Sequence, residues 1–298
     1  MSRAAWRDAV RRFGYGGLAF ILVGCAFWAL VLIVLPMLLM VDQAFRPYLP
    51  RSEWGGPKDV YGLQNFVIAI GEPLNQIIFA KTIWASVLVT FLALVNAYPL
   101  SFILVRGGRA AWVGGIMIGL LIPFWVNDIL KAFAWQLLLA RYGPINNFLI
   151  AVGVIAEPYP FLNLDVGVIV GLIYAYLLFM LFPLYSAMES LDPNQLDAAR
   201  DLGAPAWRIH WDIVIPHAKP GIASGCIVTF MLAAGSFAVP QILGGTRSLW
   251  VTQLIYNQFD AINWNQGAAY GLALVVLCLV FVLAMMAVFR VSLRDIAR

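Results

Sequence analysis

Few residues in this chain have the chemistry to make or break a bond. Its three cysteines, Cys25, Cys226 and Cys278, each sit inside an apolar run. A disulfide, a zinc site or an activated thiol would need partners that the sequence does not supply, so all three read as core residues. Both histidines, His210 and His217, fall in one polar stretch, which argues against a His-based metal site or triad. No phosphate loop, dinucleotide fingerprint or hydrolase elbow is present. Two stretches remain of interest. One is the mixed segment after Trp125, where Asp128 and Lys131 stand three residues apart, the spacing of an ion pair on a short helix. The other is a polar island, Glu189 to Gly221, set between long apolar runs.

The elements that must carry these stretches are membrane helices. The chain has 298 residues, 62% hydrophobic and only 11% charged, which excludes an ordinary soluble domain. At about 20 apolar residues per crossing, six spans are predicted: 17–41, 82–105, 110–125, 166–188, 221–243 and 267–289. The first is longer than the apolar core of a signal peptide and lacks a cleavage site, so it reads as a retained helix. Residues 42–77 are predicted as a long extramembrane loop. Pro99 is expected to kink the second span. The first part of 126–165 is expected to be a short helix at the outer interface, ending at Tyr142-Gly143-Pro144. With both termini inside, twelve of the 19 Lys and Arg fall on the island side. The positive-inside rule therefore places the termini and the island in the cytoplasm.

Within the island, local signals agree. Asp192 is a good N-cap, Pro193 suits the first helical position, and Gln195 is placed to close a capping box. Leu191 and Leu196 have the spacing of a hydrophobic staple. Gly203 falls where a helix ends in a left-handed residue. A second helix is expected to start at Pro205 and to stop near Ile215, because Pro216 follows. The island thus reads as a helix–Gly–helix element lying at one membrane face, too polar to span. A plain amphipathic surface helix between two spans is the simpler alternative.

The six apolar cores contain no Asp, Glu, Lys, Arg or His. Ion-coupled carriers and voltage sensors place ionisable groups in the membrane, and a membrane enzyme needs an acid, a base or a metal. A many-span protein lacking all of these, but carrying a docking element on one face, is expected to be driven by a partner and not to be an enzyme itself.

Asp197-Ala198-Ala199, then Gly203, then Ile213, Ile215 and Pro216 resemble the EAA loop of ABC importer permeases, with Asp for Glu and Ile for Leu. The likeness extends through YGLQNF (61–66), IPFWVNDILKAFAW with GPINNFL, GLIYAYLLFMLFPLY and GSFAVPQILGG. These are similar to the spermidine/putrescine branch, which usually has Thr-Ser where this chain has Val126-Asn127, ahead of Asp128. The resemblance implies an all-α polytopic membrane protein with the type I (MetI-like) importer permease fold. It would comprise a cytoplasmic N-tail (1–16), a first span embracing the neighbouring subunit, a permease core (78–289) containing the coupling loop 189–220, and a cytoplasmic C-tail (290–298). It further implies a multi-pass protein of the bacterial inner membrane, working with a dimer of cytoplasmic ATPase subunits, a second homologous permease and a periplasmic solute-binding protein. No cofactor is expected in this chain, since ATP and magnesium would be bound by the ATPase. Asp197, Ala198, Ala199, Arg200, Leu202 and Gly203 would couple to the ATPase.

A polyamine is a flexible cation with methylene stretches, suited to aromatic walls, cation–π contacts and few carboxylates. On that implication, Trp125, Asp128, Tyr174, Tyr176, Phe179, Phe237 and Gln241 are candidates to line its path. Lipid-facing or helix-packing use is the ordinary alternative for each aromatic. Importers of ferric iron, thiamine, phosphonates or opines share the same broad class. A secondary carrier or channel working alone and a membrane anchor without a transport role are the readings from other classes.

Overall fold

The computed structural model describes residues 3–53, 55–107, 110–245 and 248–291. Arg109, Arg247 and the tail from residue 292, which enter the charge count, lie outside them. The described residues are nearly all helical. In chain order the main elements are α1 (Arg11–Phe45), α2 (Gln64–Gly71), α3 (Pro73–Arg106), α4 (Ala110–Trp125), α5 (Asp128–Leu138), α6 (Pro144–Ala151), α7 (Asp165–Glu189), α8 (Pro193–Asp201), α9 (Ala206–Ala234), the single wide turn α10 (Pro240–Gly244), α11 (Val251–Asp260) and α12 (Trp264–Phe289). Five of these, α1, α3, α7, α9 and α12, are long and apolar enough to cross a membrane. The pair α4 and α5, bent by 96° between Trp125 and Asp128, meets the same criterion only when taken together, as a broken span or a re-entrant loop.

The core is the three-helix contact of α3, α7 and α9. Small residues bring these helices together: Ala93 and Ala97 of α3 are fully buried. On α9, a Cβ on Gly221 would stand 2.6 Å from the Pro183 carbonyl oxygen, and one on Gly225 would stand 2.8 Å from the Met180 sulfur. Two glycines four residues apart thus let α9 lie against α7 at backbone distance, the usual device where helices meet without a hydrophobic drive. By contrast α1 and α4 expose most of their apolar side chains. These faces meet lipid or another subunit.

Several predicted boundaries are corrected. Helix α1 runs to Phe45, and α3 begins at Pro73, well before Thr82, so the predicted 42–77 loop contracts to 46–63 with α2 folded behind it. Polar residues enter these helices because distant partners satisfy them. Arg46 bonds Asp42 at 2.8 Å and Asp59 at 2.9 Å, Asn75 donates to the Tyr270 hydroxyl, and Asn65 donates to the Ala44 and Arg46 carbonyls. Helix α3 stays helical through Pro99. Helix α5 stops at Leu138 and packs one face against α7 and α10, with Ala132 buried, while Leu130 and Leu137 stay exposed on the other. Buried Asn146 knits the next stretch together through the Ala140 and Tyr159 carbonyls.

The largest correction concerns Pro216, which does not stop a helix. The backbone widens to a π turn over His210–Val214, with Ile215 N–H bonded to the His210 carbonyl. The wide turn makes room for the proline ring against the preceding carbonyls. The island's second helix and the fifth span are therefore one helix, α9. It ends at Ala234, not Leu243: Gly235 and Ser236 leave the helix before α10.

Candidate functional site

Two regions carry the candidate residues. The first is the turn from α8 into α9. The Asp192 side chain caps the amide of Asn194 at 3.0 Å; the predicted reciprocal bond from Gln195 is not made among the described residues. Leu191 and Leu196 are both buried, at the staple spacing. At the other end, the Gly203 amide bonds the Arg200 carbonyl at 2.8 Å and the Ala204 amide bonds the Ala199 carbonyl at 3.0 Å. With Gly203 at φ 76, this is a Schellman motif, which spends two otherwise orphaned carbonyls and turns the chain sharply.

Long contacts fix this turn to the spans. The Arg106 guanidinium, at the end of α3, donates to the Leu191 carbonyl, and the Tyr98 hydroxyl lies 2.8 Å from His210 Nδ1. What remains outward is a compact face. Asp197, Ala198, Arg200 and Gly203 are exposed and Ala199 is half-buried. Asp197 and Arg200 pair at 2.9 Å. Leu202 is 87% exposed, although it caps a well-ordered helix. Trp207 and Trp211, one turn apart on α9, are exposed beside it. The sequence reading missed both; two tryptophans four residues apart in a polar stretch were the available signal. A bare leucine and two bare tryptophans within ten residues leave large apolar side chains exposed at this turn.

The second region is the α4–α5 bend. Asn127 caps α5 through Ile129 N, and Asp128 begins the helix. Lys131 Nζ lies 2.6 Å from Asp128 Oδ1; the Lys131 side chain is 9% exposed and that of Asp128 46%. The pair is not at the end of the bundle. On either side of it Phe124 packs on Phe179 and Trp135 on Tyr174, and these α7 residues stand about 14–21 Å along the helix from Asp165 at 1.5 Å per residue, near its middle. An ion pair thus sits level with the middle of α7, its lysine buried and its acid half open, because the bend folds a polar segment back beside the apolar helices.

The structure brings some predicted path residues together and separates others. Tyr176 and Phe179 share one face of α7, with rings 6.2 Å apart, and Phe124 packs on Phe179 at 5.3 Å. Gln241, on α10 against α5, accepts from Gln253 at 2.9 Å. Phe237 stacks near Tyr256 instead. Tyr174 pairs with Trp135. Trp125 is 84% exposed and joins no ring pair among the described residues. A further tie, unforeseen from sequence, links three elements: Lys81 of α3 bonds Asp165 of α7 at 2.9 Å, and Ser248 bonds the same carboxylate beside buried Trp250.

The model of binding-protein-dependent transport system inner membrane components matches residues 111–298, which include both regions. The chain belongs to that family. It is a multi-pass inner-membrane permease. Relatives extend the match nearly from end to end. The spermidine/putrescine transport system permease protein PotB of Escherichia coli K12 is 33% identical over 84% of this chain and 89% of its own length. The Haemophilus influenzae protein of the same name is 31% identical over 84% and 86%. A sulfate permease, CysW of Synechocystis, is 25% identical over 93% and 91%. In three dimensions the permease matches a chain of a bacterial alginate ABC transporter with TM-score 0.74 at 18% identity, covering 98% of each chain. The fold is that of ABC importer permeases.

Proposed function

We propose that this permease is the membrane subunit of an ATP-driven, binding-protein-dependent importer for polyamines of the putrescine and spermidine type. The observation that carries the reading is the identity of 31–33% to spermidine/putrescine permeases along 84–86% of the chain. The geometry supports it: the carboxylate of Asp128, level with the middle of α7, and the Phe124–Phe179 ring pair that flanks the bend suit an ammonium followed by methylenes.

The α8–α9 turn is the ATPase dock, lying with both termini in the cytoplasm. Asp197, Ala198, Ala199, Arg200, Leu202 and Gly203 enter the partner's groove, with Trp207 and Trp211 flanking it. ATP and magnesium belong to the ATPase dimer and hydrolysis occurs there. A second permease completes the path, and a periplasmic solute-binding protein delivers the amine to the opposite face.

The test is uptake by the reconstituted complex of both permeases, the ATPase and the binding protein. ATP-dependent accumulation of labelled putrescine or spermidine is expected. Transport of sulfate or another solute with no amine uptake would replace the substrate, and amine uptake without the ATPase would replace the mechanism by a stand-alone carrier.

A further inference from the structure

An isolated carboxylate at mid-membrane depth is a poor station for a passing cation. In low dielectric it would hold an ammonium too firmly to release it, since the attraction grows as the dielectric falls. Conduction and transport alike require binding strong enough to enter and weak enough to leave. The Asp128 site is not isolated. Lys131, almost wholly buried, presses its ammonium onto Oδ1 at 2.6 Å. Among the described residues, Oδ2 accepts no hydrogen bond, and nearly half of the Asp128 side chain remains exposed. A carboxylate has acceptor capacity for several donors, so one oxygen is held and the other is open.

We infer that Lys131 is a tuning residue of the polyamine path: it permanently occupies one oxygen of Asp128, so that a substrate ammonium binds the other as a transient and not as a trapped ion. This inference rests on the polyamine reading above. Lys131 need not leave when substrate arrives; the carboxylate is shared between a resident and a visiting ammonium. The residual attraction for a single charge is then small. A diamine or triamine gains additional hold by laying its methylenes and second ammonium on the Phe179 and Phe124 rings, which a sodium or potassium ion cannot do. The buried base therefore also sets specificity, by making the carboxylate alone insufficient.

The arrangement makes a non-additive prediction. Removing the acid alone leaves Lys131 as a buried, unpaired cation that repels amines. Removing both charges leaves a neutral site. In a double-mutant cycle, Asp128→Asn should thus be worse for uptake than Asp128→Asn with Lys131→Gln.

The experiment uses the full complex in lipid nanodiscs and proteoliposomes, with labelled putrescine and spermidine as probes. Two quantities are read: equilibrium retention of amine without the binding protein, and maximal ATP-dependent turnover. Lys131→Gln, and Lys131→Met, which keeps the aliphatic stem, are expected to raise retention and lower turnover, each by about tenfold, the change that follows from restoring an uncompensated carboxylate. Lys131→Arg, which keeps the charge, should stay near wild type. ATPase co-purification controls for assembly. Unchanged retention and turnover in both variants, or a fall in both quantities together, would overturn the inference, as would failure of both variants to assemble, which would make Lys131 purely structural. Absence of amine uptake by the wild type would instead overturn the polyamine reading and the inference with it. Wild-type uptake with variants that do not separate the two readouts would overturn the inference alone.

Discussion

The two functional regions are built on opposite plans. The α8–α9 turn is shaped by bonds between near neighbours: Asp192 to Asn194, Gly203 to Arg200 and Ala204 to Ala199. It offers its apolar groups outward, Leu202 most of all. The α4–α5 bend is placed by distant parts of the chain, with α5 wedged against α7 and α10. It turns its charge inward. A surface that must seat a separate protein gains from being pre-shaped, because ordering costs paid on binding subtract from affinity. A station on a transport path gains from being assembled out of several helices, because moving any of them changes it.

That contrast can be broken at its common support. Gly221→Leu drives a side chain into the Pro183 carbonyl and Ala187, so α9 cannot lie on α7 and both regions lose their frame. Loss of the folded permease from membranes, read by immunoblot, is the expected and largest effect. Gly203→Val should spare membrane insertion and strike the dock alone. A Cβ at this left-handed position costs roughly 1 kcal/mol, and the valine also crowds the docking face. Uptake should fall below a tenth of wild type with loss of ATPase on purification; normal retention of the ATPase would remove the turn from the docking role.

Smaller effects sharpen the contrast. Leu202→Asp leaves the Schellman bonds intact, since they are all backbone, yet places a charge on the face. ATPase affinity measured by titration into nanodiscs should drop about tenfold, the scale of one buried apolar contact of 1–2 kcal/mol. If affinity holds, the exposed leucine is not a contact. Lys81→Met should loosen the Asp165–Ser248 tie without touching either region, changing uptake by less than about fivefold, on the scale of a part-exposed pair. Last, Asp197→Asn removes only an exposed pair with Arg200. Such pairs are worth about 0.2–0.5 kcal/mol, so helix stability should barely change, and any larger loss of uptake assigns Asp197 to the ATPase contact itself.

Much of the docking turn could be read from residue order, because caps, staples and left-handed glycines act over four or five residues. The site residues Leu202 and Gly203 were accessible for that reason. The reach of α9 was not. Pro216 is a stop signal by local rules, and only the π turn at His210–Val214, accommodated by packing of Ile209, Val214 and Ala218, overrides it. The six spans were visible as apolar runs, yet their ends were misplaced wherever a polar residue had a far partner, as Asn75 has in Tyr270 and Lys81 in Asp165. The same limit hid the depth of Asp128. A carboxylate beside a lysine looks like a solvated pair until a 96° bend sets it beside α7 with the lysine buried.

The continuity of α9 bears on how work crosses the membrane. Its 29 residues make a rod of about 43 Å at 1.5 Å per residue, with Trp207 near one tip and the Gly235–Ser236 break at the other. Its backbone leaves the α pattern at the π turn, which is braced by Tyr98 and Phe102 on His210, and Pro220 removes a further helical bond nearer the middle. If the turn docks the ATPase as proposed, a push there would reach the far tip through one continuous helix. There lies the break, which runs on through Phe237, and then α10, which packs on α5. On that proposal the same helix would carry the stroke across the membrane, and local rearrangement would be expected first where the backbone leaves the helix.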